Sequence, residues 1–98
     1  MTVLFSIHET AEAEINEAAD FYDLEAPGLG NVFLDEVERG IKLISQYPEA
    51  APLVWGGVRK KPLRKFPFSL LYSVRHNEIR LLAVAHQMRR PFYWRSRR

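Results

Sequence analysis

Residues 9–48, ETAEAEINEAADFYDLEAPGLGNVFLDEVERGIKLISQYP, decide the fold. On both sides of Pro27-Gly28-Leu29-Gly30, apolar residues recur at helical spacing. In the first half, Ala11, Ile15, Ala18, Ala19 and Tyr22 form a narrow, alanine-rich stripe that lets a partner helix approach closely. In the second, Phe33, Val37, Ile41 and Ile44 repeat the pattern until Pro48 stops it. The proline and glycines between the halves break one helix and open a turn into the next, which predicts a helical hairpin. Thr10 offers its N-cap, and Glu12 lies in the first turn, where the helix dipole favours acids.

Upstream, Val3 to His8 reads as a short strand, with Val3, Phe5 and Ile7 alternating against Leu4, Ser6 and His8. Downstream, Glu49 to Gly57 reads as a loop anchored by Trp55. Val58 to Leu63 is a strand that Pro62 confines to an edge or to its end. Phe68, Leu70, Tyr72 and Val74 then alternate with Ser69, Leu71, Ser73 and Arg75. His76-Asn77 makes a two-residue turn, in which asparagine tolerates positive φ. Glu78 to His86 is the most apolar strand, expected to be central and covered on both faces. The order β-α-α-β-β-β predicts an α+β fold, one domain over residues 1–98, with the hairpin packed on a small, mainly antiparallel sheet.

Composition excludes several functions. With no cysteine there is no disulfide, thiolate metal site or cysteine nucleophile. No His/Asp/Glu grouping has metal-ligand spacing, and there is no phosphate-cradling glycine loop or serine elbow, so no metal or cofactor is expected. The longest apolar run, Leu81 to Ala85, is far short of the ~20 residues of a membrane helix. A basic start followed by an apolar stretch is missing too, and the expected location is the cytoplasm.

Charge divides the chain sharply. Residues 1–50 carry eleven acids against Arg39 and Lys42, a balance of −9, and residues 51–98 carry twelve bases against Glu78, a balance of +11. Such asymmetry suits either a basic face for a polyanion or acidic protein, or neutralisation between the halves within the fold. The first helix adds seven acids and no base between Glu9 and Glu25. Its ridge of Glu14, Glu17, Asp20 and Asp23 is either a solvated face or rests in part against the basic half, a contact expected to include Glu17 and Asp20.

The bases fall in two clusters, Arg59-Lys60-Lys61 with Arg64-Lys65, and Arg89-Arg90 with Arg95, Arg97 and Arg98. Aromatics interleave both, Phe66 and Phe68 in the first and Phe92, Tyr93 and Trp94 in the second. Guanidinium forks bind phosphates or carboxylates, and flat rings stack on bases. Equally, Phe66, Phe68 and Tyr72 fit a core, and Phe92 to Trp94 fit a tail folded back over the sheet. His86, at the end of the central strand beside Arg89 and Arg90, is either a general base and phosphate donor or a strut ordering the next turn.

Taken together, these residues resemble the RelE/ParE family of toxins from bacterial type II toxin–antitoxin systems. The resemblance covers nearly the whole chain. It rests on Ala18-Ala19-Asp20-Phe21-Tyr22, Pro27-Gly28-Leu29-Gly30, Phe33 with Glu36, Pro48, Arg59 to Phe68 leading into Leu70-Leu71-Tyr72, Ala83-Val84-Ala85-His86, Arg89-Arg90-Pro91, Tyr93-Trp94 and Arg97. RelE-like members are ribosome-dependent mRNA endonucleases; ParE-like members cut nothing but bind DNA gyrase and stall it with cleaved DNA. Nuclease members typically carry arginines where this chain has Ser69 and Gln87, whereas Tyr93 matches their terminal tyrosine.

The resemblance therefore implies a ParE-like, gyrase-binding toxin that inhibits growth. Its expected target-facing residues are Arg59, Lys60, Lys61, Arg64, His86, Arg89, Arg90, Tyr93, Trp94 and Arg97. The alternative is an mRNA endonuclease acting on the ribosome through Arg64, His86, Arg89 and Tyr93. Either implies a cognate antitoxin with an acidic segment that folds on binding, taken up through Leu34, Leu43, Arg59, Lys61 and the sheet edge near Pro62.

Overall fold

The computed structural model describes residues 4–98, so Val3 of the first expected strand lies outside the described residues. β1 (Leu4–Ile7) runs directly into α1 (Glu9–Glu25). His8, not Thr10, is the N-cap: its Nδ1 accepts the Thr10 N–H at 3.1 Å. The His8 N–H is itself held by the Leu81 carbonyl at 2.8 Å, so the chain leaves the sheet already placed to start the helix. An imidazole nitrogen here supplies the acceptor that a hydroxyl would otherwise provide.

α2 (Leu29–Gln46) returns against α1 and completes the expected hairpin. Gly28 caps it at φ 87°, a left-handed conformation that favours glycine. Gly30 sits where the helices touch, and a Cβ there would lie 2.5 Å from the Ala19 carbonyl oxygen. The alanine-rich stripe thus permits the close approach expected of it. The Gly30 N–H donates to Asp23 Oδ1 at 2.7 Å, fastening the start of α2 to the end of α1.

The remaining strands are β2 (Leu53–Trp55), β3 (Val58–Pro62), β4 (Phe68–Arg75) and β5 (Glu78–His86). The sheet order is β1-β5-β4-β3-β2, with β1 parallel to β5 and all other pairs antiparallel. β2 corrects the loop reading of Glu49 to Gly57: three residues pair with β3 through Leu53–Arg59 and Trp55–Val58. The β3 edge is therefore partly covered, and Lys60 N–H also reaches the Pro52 carbonyl at 3.1 Å. In the β4–β5 turn, the positive φ of 53° falls on His76 rather than on asparagine.

Two cores flank the sheet. On the helix side, Leu70, Tyr72, Ile79, Leu81 and Val84 meet Ala11, Ile15, Phe33, Val37 and Ile44. Phe66 and Phe68 pack edge-on against Phe33, each with ring centroids 5.2 Å apart, and Tyr72 is fully buried, so all three serve the core. On the opposite face, Val58, Leu71, Leu82 and Ala83 are covered by Trp94. A β-bulge makes this possible. Leu71 pairs with Ala83 and Tyr72 with Leu81, leaving Leu82 as the extra residue. Leu82 and Ala83 consequently both join the second core, and Val84 returns to the first.

Candidate functional site

β5 ends at His86, opposite Phe68 at the start of β4. The next residues turn tightly: Gln87 N–H donates to the Pro67 carbonyl at 2.8 Å, Arg89 N–H to the His86 carbonyl at 3.0 Å, and Met88 N–H to His86 Nδ1 at 3.0 Å. His86 thus acts as a strut for the turn, with its ring edge-on to Phe68 at 5.0 Å. The chain then passes Phe92, at φ 60°, and folds back until Trp94 is only 4% exposed. Between this turn and the sheet lies a concavity of about 240 Å³, lined among others by Lys60, Ser69, His86, Gln87, Arg89, Arg90 and Tyr93. A second hollow of about 320 Å³ opens toward α1, lined by Glu17, Phe21, Tyr22, His86, Arg89 and Tyr93. His86, Arg89 and Tyr93 form the wall between the two.

The wall is fixed from behind by Glu14. Its carboxylate accepts the Tyr93 hydroxyl at 2.6 Å, Arg97 Nη1 at 2.8 Å and Nη2 at 3.2 Å, and the Val84 N–H at 3.1 Å. Val84 lies beyond the last residue of β5 that β1 reaches, so the carboxylate replaces a missing strand partner. Arg97 Nη1 also donates to the carbonyl of the bulged Leu82 at 3.1 Å. Burial and the neighbouring carboxylate push the Tyr93 phenol well above its usual range. The Arg89 guanidinium lies over the Tyr93 ring, 3.9 Å from its centroid. The acidic ridge of α1 does rest on the basic half, but through Glu14; Glu17 and Asp20 are exposed.

The structure divides the basic-aromatic residues singled out by sequence. Lys60, His86, Arg89, Arg90 and Tyr93 share the first concavity. Trp94 is buried beneath it, and Arg97 is tied to Glu14 with 13% of its side chain exposed, so neither offers much surface to a partner. Arg59 turns to the helix side of the sheet and donates to the Glu49 and Ala51 carbonyls at 3.0 and 2.6 Å, bracing the loop after α2. Lys61 lies with Leu43 in a separate hollow of about 320 Å³ beside the end of α2, and Leu34 is exposed on that helix.

Arg64 sits in the β3–β4 turn and lines neither hollow beside His86, Arg89 and Tyr93, its N–H donating to Glu36 Oε2 at 2.6 Å. Glu36 also takes both Arg39 Nε and Nη2, at 3.0 and 2.8 Å, and these bonds hold its carboxyl down at about 2. Sequence reasoning passed over Glu14 as a site residue. Nothing in the pattern of seven acids distinguishes it, because its partners lie 70 to 83 residues away.

Among the described residues, no group of three or more histidines or acids is placed to hold a metal ion, and no helix is long and apolar enough to cross a membrane. No family model matches the chain, and no curated protein matches it as a relative. Among solved structures, a chain of the chromosomal ParDE TA system from P. aeruginosa shares its fold. The two superpose with a TM-score of 0.77 at 21% identity, over 87% of this chain and 96% of that one. Two helices on a five-stranded sheet are thus an architecture that this chain has in common with a ParDE component.

Proposed function

We propose that the chain is the toxin of a type II toxin–antitoxin pair, and that it arrests growth by binding DNA gyrase and trapping cleaved DNA. The shared fold with a ParDE chain supports the toxin reading. The state of Tyr93 carries the choice of mechanism. A nuclease would use that hydroxyl on its substrate, whereas here it donates to Glu14 at 2.6 Å, which supports a holding role over a proton-transfer one. Ser69 and Gln87 add neutral walls to the concavity where a nuclease would hold the developing phosphate charge.

What remains is a recognition surface. Lys60, Arg89 and Arg90 present cations around an aromatic rim, an arrangement suited to an acidic protein patch. The partner that silences it is an antitoxin with an acidic segment, which folds along the half-covered edge of β3 and the hollow between Leu43 and Lys61. In cells expressing the protein, DNA synthesis should fall before protein synthesis does, and Arg89→Glu with Arg90→Glu should relieve the arrest. If protein synthesis stops first, and Tyr93→Phe abolishes that effect, the ribosomal reading replaces this one.

A further inference from the structure

A further groove, of about 530 Å³, lies on the same face of the sheet as the first concavity but at its other end, beside the β4–β5 turn. Trp94 separates it from the first concavity. Five arginines line it, namely Arg75, Arg80, Arg95, Arg97 and Arg98, against the single acid Glu78. Two are held in place: Arg80 by Ser6 Oγ at 3.1 Å, and Arg97 by Glu14. Arg75, Arg95 and Arg98 are exposed, and none forms an ion pair with the other described residues. Trp55 stands at the mouth, 46% exposed, braced edge-on by Trp94 with ring centroids 6.2 Å apart.

We propose that this groove binds a single-stranded polynucleotide, with the guanidinium groups on its phosphates and Trp55 stacked on a base. Two features favour a nucleic acid over an acidic peptide. The cations are all arginines, whose planar forks match phosphate, and an anchored, half-exposed indole gives a base a flat partner that a glutamate side chain cannot use. A single strand is favoured over a duplex because only unpaired bases expose a face to stack. The inference stands whether or not gyrase is the target, since it concerns a different end of the sheet.

Fluorescence anisotropy with short labelled oligo-dT and oligo-rU, titrated against the purified full chain over a range of salt, tests it. Trp55→Ala should weaken binding by about fivefold or more, the loss expected of one stacked base. Combining Arg75→Ala, Arg95→Ala and Arg98→Ala should flatten the log–log salt dependence by about 2, the slope change for three lost phosphate contacts on a single strand. Making the same change in charge elsewhere, with Lys42→Ala, Lys65→Ala and Asn31→Asp, should leave that slope in place. Binding of either oligonucleotide in this pattern supports the groove, and the ratio between them tells DNA from RNA. Equal losses in the two triple variants, tighter binding to duplex, or equally effective competition by polyglutamate would overturn it.

Discussion

Glu14 joins the chain's two electrostatic halves, because one carboxylate holds the tail, the end of β5 and the ring that walls the site. It and Arg97 are both largely buried, at 12% and 13% side-chain exposure, so removing one leaves the other's charge uncompensated. Glu14→Ala should therefore cost about 3 kcal/mol in urea unfolding, within the range for breaking a buried pair. Glu17→Gln and Asp20→Gln should stay within about 0.5 kcal/mol of the parent, as exposed substitutions do. Glu36 makes a prediction in pH. Its folded value of about 2 lies below the ordinary 4.5, so its contribution is complete above pH 4.5 and is lost as pH falls toward 2. Arg39 is partly exposed, so water screens the pair and the contribution is smaller than the full shift would give. Unfolding curves of Glu36→Gln should differ most from the parent above pH 4.5 and converge with it near pH 2.

Two glycines of α2 let it approach different neighbours, Gly30 the first helix and Gly40 the sheet. A Cβ at Gly30 would strike backbone, the Ala19 carbonyl at 2.5 Å, whereas one at Gly40 would meet the Leu70 Cδ1 tip at 2.9 Å. Backbone yields less readily than a leucine tip, so Gly30→Ala should cost about 2–3 kcal/mol, as overpacking does, and Gly40→Ala clearly less. Thermal melts of the two variants would order them. Elements of this kind were legible because helical periodicity runs uninterrupted on both sides of Pro27, and because β4 alternates at every position but Leu71. β2 was not, since three residues flanked by prolines and glycines carry no period of their own and acquire their conformation from β3. Nor was the bulge: within Leu81-Leu82-Ala83-Val84 every residue is apolar, so no phase change shows. The basic-aromatic clusters were visible as composition, but only the bulge and the Glu14 contacts sort Trp94 and Arg97 into the interior and leave Lys60, Arg89 and Arg90 at the site.

Across the whole molecule, part of the opposite charge is joined within the fold, and the rest remains on the surface as cations at both ends of one sheet face. An acidic antitoxin segment should exploit that excess, so its affinity should fall steeply as salt rises and screens exposed charges; affinity unchanged in high salt would show that apolar contacts alone hold it. Under the proposed function, this scaffold acts by holding a protein target. The most direct measurement adds the purified chain to DNA gyrase and relaxed plasmid, then scores supercoiling and protein-linked DNA breaks. Trapped breaks that disappear with Arg89→Glu and Arg90→Glu are the expected result. Full supercoiling by gyrase in the presence of folded, antitoxin-binding protein would show that gyrase is not the target.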